Sequence, residues 1–158
     1  MNSYSGKSHH CVDICNKLLR DERSAVETYR EVLQKFPNEP GIHEFAALLD
    51  DHKIAIRDLE LQVLYMGGEP ARRSHEWNRI HSSIKNSGDL FGDDSVVKAL
   101  RTAEERILND YRETIDDENL LPECLRLCSA RLIPLTGSHI QKLAGIRQDY
   151  EARFLPVY

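Results

Sequence analysis

Four side chains that could bind a cation lie at the centres of apolar helical stripes, one in each long helical segment of the sequence. They are two carboxylates and two imidazoles, Glu22, His52, Glu104 and His139. Zinc, iron and manganese all accept carboxylate oxygen and imidazole nitrogen as ligands. Counting back from the turns brings the four residues to within roughly one or two helical turns of a common level. The pattern predicts a site for one divalent metal ion in the core.

The two glutamates belong to a repeated motif, because each precedes a Tyr-Arg-Glu triplet by seven residues. Both also share a helical face with apolar neighbours, so both carboxylates point into the core. A buried carboxylate is costly unless it is paired, protonated or bound to a cation. The tyrosines of the triplets, Tyr29 and Tyr111, lie two turns further along the same faces. Their hydroxyl groups could hydrogen-bond to the metal ligands and so support the site.

The same residues also allow a metal-free interpretation. Each glutamate would then pair with a protonated histidine, an arginine or a tyrosine hydroxyl. A histidine beside a buried carboxylate favours its charged form. Such a pair is weakened by acid, which protonates the carboxylate, and by base, which neutralises the imidazole. A metal site and a polar network both remain open on the sequence alone.

Composition limits the class of protein. The chain has 158 residues and a net charge of −5, with charges of both signs spread throughout and no cluster of lysine and arginine. These features predict a single domain with a substantial core and no nucleic-acid partner. The sequence has no apolar run long enough to span a membrane and no signal peptide, so we expect a cytoplasmic protein. No phosphate-binding loop or hydrolase motif is present.

Helical periodicity covers most of the chain and predicts an all-α fold, with prolines and glycines at the turns. A flexible leader over 1–10 and a tail over 151–158 flank the domain. The predicted helices span 11–36, 42–66, 94–116 and 120–150.

The segments between and within the predicted helices carry further signals. A long crossover over 67–93 contains a short helix that Trp77 anchors. Asp94 or Ser95 could cap the third helix. Pro134, inside the fourth helix, predicts a kink before His139. Short 1–2 and 3–4 connections with one long crossover specify two antiparallel hairpins, which is the ferritin-like four-helix-bundle architecture.

The resemblance to known families rests on particular residues. The spacing Glu22-x2-Ala25-x3-Tyr29 resembles the first-helix motif of rubrerythrins and bacterioferritins. The chain from about 11 to 147, with Gly-Gly-Glu-Pro after helix 2 and a tryptophan in the crossover, is similar to an uncharacterised bacterial ferritin-like family, domain of unknown function 2383. This resemblance implies a ferritin-like bundle.

The resemblance also implies a ligand set, in which helices 1 and 3 each give one glutamate and helices 2 and 4 each give a Glu-x2-His. The single glutamates match. Helix 2 departs from the pattern, with His52 and Ala55 at these positions, and helix 4 has Thr136 in place of the glutamate although it keeps His139. Both bridging carboxylates are missing, so we expect one metal ion rather than a di-iron centre.

Two pairs of cysteines, each spaced i, i+4, form a second symmetrical feature: Cys11, Cys15, Cys124 and Cys128. Parallel helices 1 and 4 would bring both pairs toward one end of the bundle. A thiolate metal site, a redox-active disulfide and simple packing are all possible interpretations. Packing is favoured, because buried cysteines in a cytoplasmic protein most often act as small hydrophobes. Helices 1 and 4 are also expected to be diagonal neighbours, which would leave their cysteines too far apart to bridge.

The leading hypothesis is a ferritin-like protein that binds one divalent metal ion and has a structural or stress-related role without catalysis. A metal-dependent oxidoreductase of the rubrerythrin type is the alternative. A helical partner-binding module is a third possibility, and it would show an exposed apolar strip on the crossover or the tail. The apolar tail over 154–158 also suggests a homodimer. No small-molecule substrate can be inferred.

Overall fold

The computed structural model describes residues 3–91 and 96–154, and these residues form an all-helical fold without a β-strand. Among the described helices, none is long and apolar enough to cross a membrane. The elements are α1 Ser3–Lys35, α2 Ile42–Tyr65, α3 Asn78–Asn86, α4 Val96–Ile115, α5 Pro122–Arg126, a π-helical segment Leu127–Leu132 and α6 Ile133–Phe154.

The N-terminal region differs from the sequence prediction. Helix α1 begins at Ser3, so the leader predicted over 1–10 is helical from that residue onward. His10 Nε2 lies 2.7 Å from Asp117 Oδ2, and this contact ties the early turns of α1 to the connection after α4. The caps predicted at Asp94 and Ser95 and the tail residues 155–158 lie outside the described residues.

The long helices pack in antiparallel pairs around one apolar core. On α1, Asn16 Nδ2 donates to the carbonyl of Glu69 and Arg23 Nη2 lies 3.3 Å from Glu60 Oε1. Residues further along α1 therefore meet residues earlier in α2. Helix α4 packs in the same way against α6, and α1 packs against α4, so the two helix pairs share the core.

The connection from α2 to α4 runs back along α1, as the sequence predicted for the crossover. Trp77 is 2% exposed and anchors the start of α3, the short helix in this connection. At the other end of α3, Lys35 Nζ lies 2.6 Å from the carbonyl oxygens of Ile84 and Ser87. A lysine at the carbonyl groups of a helix C-terminus is stabilising, because its positive charge complements the helix dipole.

Pro134 lies next to a distortion in the helical segment that carries His139. Because proline has no backbone N–H, it cannot continue the α-helical hydrogen-bond ladder. The segment just before it is the π-helical Leu127–Leu132, in which the N–H of Ile133 bonds to the carbonyl of Cys128, five residues back. The predicted distortion therefore takes the form of a wide helical turn. The extra residue rotates the following helix by about 100°, and both Cys128 and His139 are buried.

The cysteines correct another expectation. Cys15 Sγ and Cys124 Sγ are 3.8 Å apart, so the prediction that these pairs lie too far apart was wrong. The fourth predicted helix begins as the short α5, whose buried residue is Cys124, and this turn reaches the N-terminal half of α1. Cys124 occupies the inward position of this turn, so the neighbouring Leu125 is 40% exposed.

Candidate metal centre

Each long helix places one polar side chain in the centre of the core. Glu22 on α1, His52 on α2 and His139 on α6 are each 1% exposed, and Glu104 on α4 is fully buried. All four residues were predicted to point inward because they fall within apolar stripes. Their burial requires that every charge be compensated within the protein.

His52 lies between two carboxylates that come from different helices. Its Nδ1 is 2.5 Å from Glu22 Oε2, and its Nε2 is 2.6 Å from Glu104 Oε1. Two short contacts to acceptors require both ring nitrogens to carry a proton. Burial by itself lowers the pKa of His52, but attraction to Glu104 and Glu22 and the hydrogen bonds to them outweigh burial and hold the pKa well above its usual value. The metal-free centre therefore contains an imidazolium.

The pKa of Glu104 is shifted in the opposite direction to that of His52. Burial raises its pKa, but attraction to His52 and hydrogen bonds from His139 and His52 dominate and lower the pKa to about 2. Glu104 thus remains a carboxylate at any physiological pH. Its two oxygen atoms accept hydrogen bonds from His52 and His139.

His139 bridges Glu104 to a carboxylate that the sequence analysis did not select. His139 Nδ1 lies 3.3 Å from Glu104 Oε2, and its Nε2 lies 3.0 Å from Asp51 Oδ2. Asp51 falls off the apolar stripe of its helix, and its side chain is 29% exposed. Its position next to His52, at the edge of that stripe, is the sequence signal that could have identified it.

Three of the four predicted ligands form one group. The donor atoms of His52, Glu104 and His139 all lie within 4.8 Å of one another, so these residues could hold a metal ion. Glu22 lies behind His52, at the ring nitrogen opposite Glu104, and Asp51 lies in the same relation to His139. A carboxylate behind each histidine is the usual arrangement at metal centres, where it fixes the ring orientation and increases ligand basicity.

The two tyrosines of the repeated motif contact the carboxylates crosswise. Tyr29 donates to Glu104 Oε1 at 2.8 Å, and Tyr111 donates to Glu22 Oε1 at 2.5 Å. Each tyrosine therefore serves the glutamate of the other motif, because α1 and α4 run in opposite directions. Burial and the adjacent carboxylate raise the pKa of both tyrosines well above the usual value. Both hydroxyl groups consequently keep their protons and act as donors.

A surface groove reaches the edge of this centre. It has a volume of about 430 Å³ and is lined by Asp51, Ile54, Asp58, Arg131, Leu132, Pro134 and Leu135. Asp51 belongs both to the groove and to the hydrogen bond with His139. The groove therefore gives solvent a route to the outermost member of the centre.

A second buried carboxyl group lies beside the centre. Asp21 is 3% exposed, and no donor among the described residues reaches its Oδ2. Burial, a hydrogen bond with Asp110 and repulsion from Asp110 and Glu22 raise the pKa of Asp21 to about 9. The folded protein therefore favours the protonated form of Asp21.

Comparison of the chain with protein-family models, with curated proteins and with solved structures found no match. The chemistry of the centre therefore has to be inferred from its geometry.

The crossed tyrosines provide a test of the network. We expect Tyr29→Phe and Tyr111→Phe each to lower the free energy of unfolding by about 1–3 kcal/mol, because each leaves a buried carboxylate without a donor. Tyr65→Phe is the control, since Tyr65 is 73% exposed, and it should change little. Urea unfolding of metal-free protein measures all three. Losses no larger than that of the control would show that the hydroxyl groups do not support the carboxylates.

Asp21 predicts a particular pH dependence. Its pKa is about 9 in the folded protein, whereas an ordinary aspartate has a pKa of about 3.8, so the folded state holds an extra proton between these values and loses stability as pH rises through them. Asp21→Asn mimics the protonated form and avoids this loss. We expect a gain of about 2–4 kcal/mol at pH 7 that shrinks toward pH 4.

Urea unfolding of chelator-treated protein across this pH range measures the gain. The control is Asp50→Asn, an exposed carboxylate on α2, which should follow the wild-type profile. Parallel profiles for wild type and Asp21→Asn would refute the raised pKa.

Proposed function

We propose that this chain is a ferritin-like four-helix-bundle protein that binds one divalent transition-metal ion through His52, Glu104 and His139. The observation that carries the proposal is the convergence of these three donor groups within 4.8 Å. A carboxylate lies behind each histidine, Glu22 at 2.5 Å and Asp51 at 3.0 Å. The proposed role is structural or stress-related, without catalysis.

The helix arrangement supports the ferritin-like assignment. Helices α1 and α2 form one antiparallel pair and α4 and α6 form another, with a long connection between the pairs. The repeated Glu-x6-Tyr motif occurs once in each pair, and its crossed hydrogen bonds relate the pairs by an approximate twofold. This internal symmetry is what two fused helical hairpins would give.

The donor set favours a single ion of the zinc, iron or manganese class. Two imidazoles and one carboxylate suit a catalytic type of zinc site and also mononuclear ferrous iron. The resemblance would place bridging carboxylates at the positions of His52 and Thr136 and a histidine at the position of Ala55, and all three residues are buried. Thr136 donates instead to the carbonyl of Leu132 within its own helix. The charge and bridging oxygens needed by a second ion are therefore lacking.

Metal binding competes with the metal-free network. The short contact between His52 Nε2 and Glu104 must open, and the proton on Nε2 must leave, before that nitrogen can bind a cation. The proton on Nδ1 can stay, because it faces Glu22. Metal affinity should consequently increase with pH as this proton becomes easier to remove. The buried network remains compensated in either state.

An iron-dependent oxidoreductase is the second candidate. It is favoured by the groove that reaches Asp51 beside His139 and by Tyr29, which donates to Glu104. The partner-binding module has weaker support. Among the residues whose burial is described, the exposed large apolar residues are mostly on α2, whereas that hypothesis placed them on the crossover or the tail: Ile54, Leu61, Leu64 and Tyr65, with Leu125 on α5.

Elemental analysis tests the metal site. We expect near-stoichiometric iron, zinc or manganese in tag-free protein purified without chelator, and loss of this metal in Glu104→Gln and His139→Ala. Glu22→Gln should keep the metal with about 10–100-fold lower affinity, because Glu22 supports a ligand instead of binding directly. Glu105→Gln is the matched control, since this neighbouring glutamate is exposed. Wild-type protein without metal, or equal metal in the Glu104→Gln and Glu105→Gln proteins, would reject the site.

Ferrous iron oxidation separates the two leading candidates. We expect wild-type and Glu104→Gln proteins to oxidise ferrous iron with peroxide at the same rate, because the bridging carboxylates of a di-iron centre are absent. The oxidation is followed by absorbance, with buffer alone as the baseline. Faster, stoichiometric oxidation by wild type that Glu104→Gln abolishes would favour the oxidoreductase.

A further inference from the structure

Five sulfur atoms gather at one end of the molecule, where the first half of α1, the end of α2 and α5 meet. We call this group the sulfur cluster: Cys11, Cys15, Met66, Cys124 and Cys128. All four cysteines are free and buried, and the methionine packs against the core. The residues come from three separate parts of the chain, so only the folded protein assembles them.

Cys124 is in direct contact with two other sulfur atoms. Its Sγ lies 3.8 Å from Cys15 Sγ and 3.6 Å from Met66 Sδ. A transition metal binds sulfur at about 2.3 Å, and ligands in tetrahedral or trigonal arrangement around it are then about 3.8–4.0 Å apart. The separation of Cys15 and Cys124 falls in this range and that of Cys124 and Met66 is slightly shorter, so these three sulfur atoms could share one ion.

Cys11 lies beside this group as a neutral thiol. The backbone N–H of Leu121 donates to Cys11 Sγ at 3.2 Å, and the thiol itself donates to the carbonyl of Asn119 at 3.7 Å. Burial raises the pKa of Cys11 and outweighs the lowering effect of the Leu121 N–H. Cys11 is therefore not counted among the ligands.

The ligand types select the ion. A structural zinc site normally has four protein ligands, usually thiolates and imidazoles. Here the contacting set is two cysteines and one thioether. Soft thiolate and thioether ligands together suit monovalent copper, which is satisfied by two or three of them. We propose that Cys15, Cys124 and Met66 form a binding site for one copper(I) ion, separate from the histidine and glutamate centre.

Binding at this site is a proton exchange without electron transfer. Each cysteine that binds copper(I) gives up its thiol proton to solvent, and the methionine thioether binds without losing one. In the absence of copper, the hydrogen bond with Cys15 and burial raise the pKa of Cys124 well above its usual value, and burial and the neighbouring Cys124 raise the pKa of Cys128 to about 12. Neutral buried thiols react slowly with oxidants, so the cluster stays available for the ion.

The test is an anaerobic titration of reduced, full-length protein with copper(I) against bathocuproine disulfonate as competing chelator. We expect about one copper(I) bound per chain, with thiolate-to-copper absorption in the ultraviolet and sulfur-only coordination by X-ray absorption. Cys15→Ala and Cys124→Ala should each lower the affinity by more than about 100-fold, beyond the loss seen when only a supporting group is removed. Met66→Leu, a change of similar volume, should lower it by about tenfold.

The matched control is Cys128→Ala, because Cys128 is equally buried and lies one turn from Cys124. It should bind copper(I) as wild type does, and so should His139→Ala. Circular dichroism confirms that each variant is folded, and Met66→Leu keeps the test decisive if a cysteine variant unfolds. Failure to compete with the chelator, unchanged affinity in all three ligand variants, or zinc binding through these residues without copper(I) binding would each overturn the proposal.

Discussion

One imidazolium makes it possible for two like-charged carboxylates to share a buried core. Glu22 and Glu104 come from α1 and α4, and His52 from α2 contacts both of them at 2.5 and 2.6 Å. Each hydrogen bond from His52 compensates the negative charge of one buried carboxylate. Loss of the imidazole would therefore leave two buried anions without their positive partner. The side chain of His52 therefore fixes the positions of α1, α2 and α4 relative to one another along the bundle axis. The tyrosines and His139 add donors around an arrangement that His52 has already determined.

A proton and a metal ion can perform the same electrostatic task at this centre. In the metal-free protein, the positive charge lies on the ring of His52, between carboxylates. With a divalent ion bound at Nε2, the positive charge would move toward Glu104 and His139, while Glu22 would still accept the proton on Nδ1. The buried anions are compensated in both states. Gain or loss of a metal therefore need not disturb the helical core.

Sequence periodicity could predict which residues face the core but not which atoms meet. The inward positions of Glu22, His52, Glu104 and His139 follow from helical spacing alone. The contact from Asp51 to His139 depends on a side chain at the edge of a stripe, and the crossing of Tyr29 to Glu104 depends on the relative level of two helices. The contact of Cys15 with Cys124 depends on the wide turn before Pro134 and on the path of α5. The local amino-acid sequence contains no signal that predicts such distances between helices.

The crossed tyrosines also limit how the chain can be divided. Tyr29 satisfies a carboxylate of the second helix pair, and Tyr111 satisfies one of the first. Either pair on its own would keep a tyrosine without its acceptor and a glutamate without its donor. A polypeptide cut in the connection between α2 and α4 would thus yield two fragments that complement each other. The crossed contacts therefore make each repeated half depend on the other for a tyrosine donor.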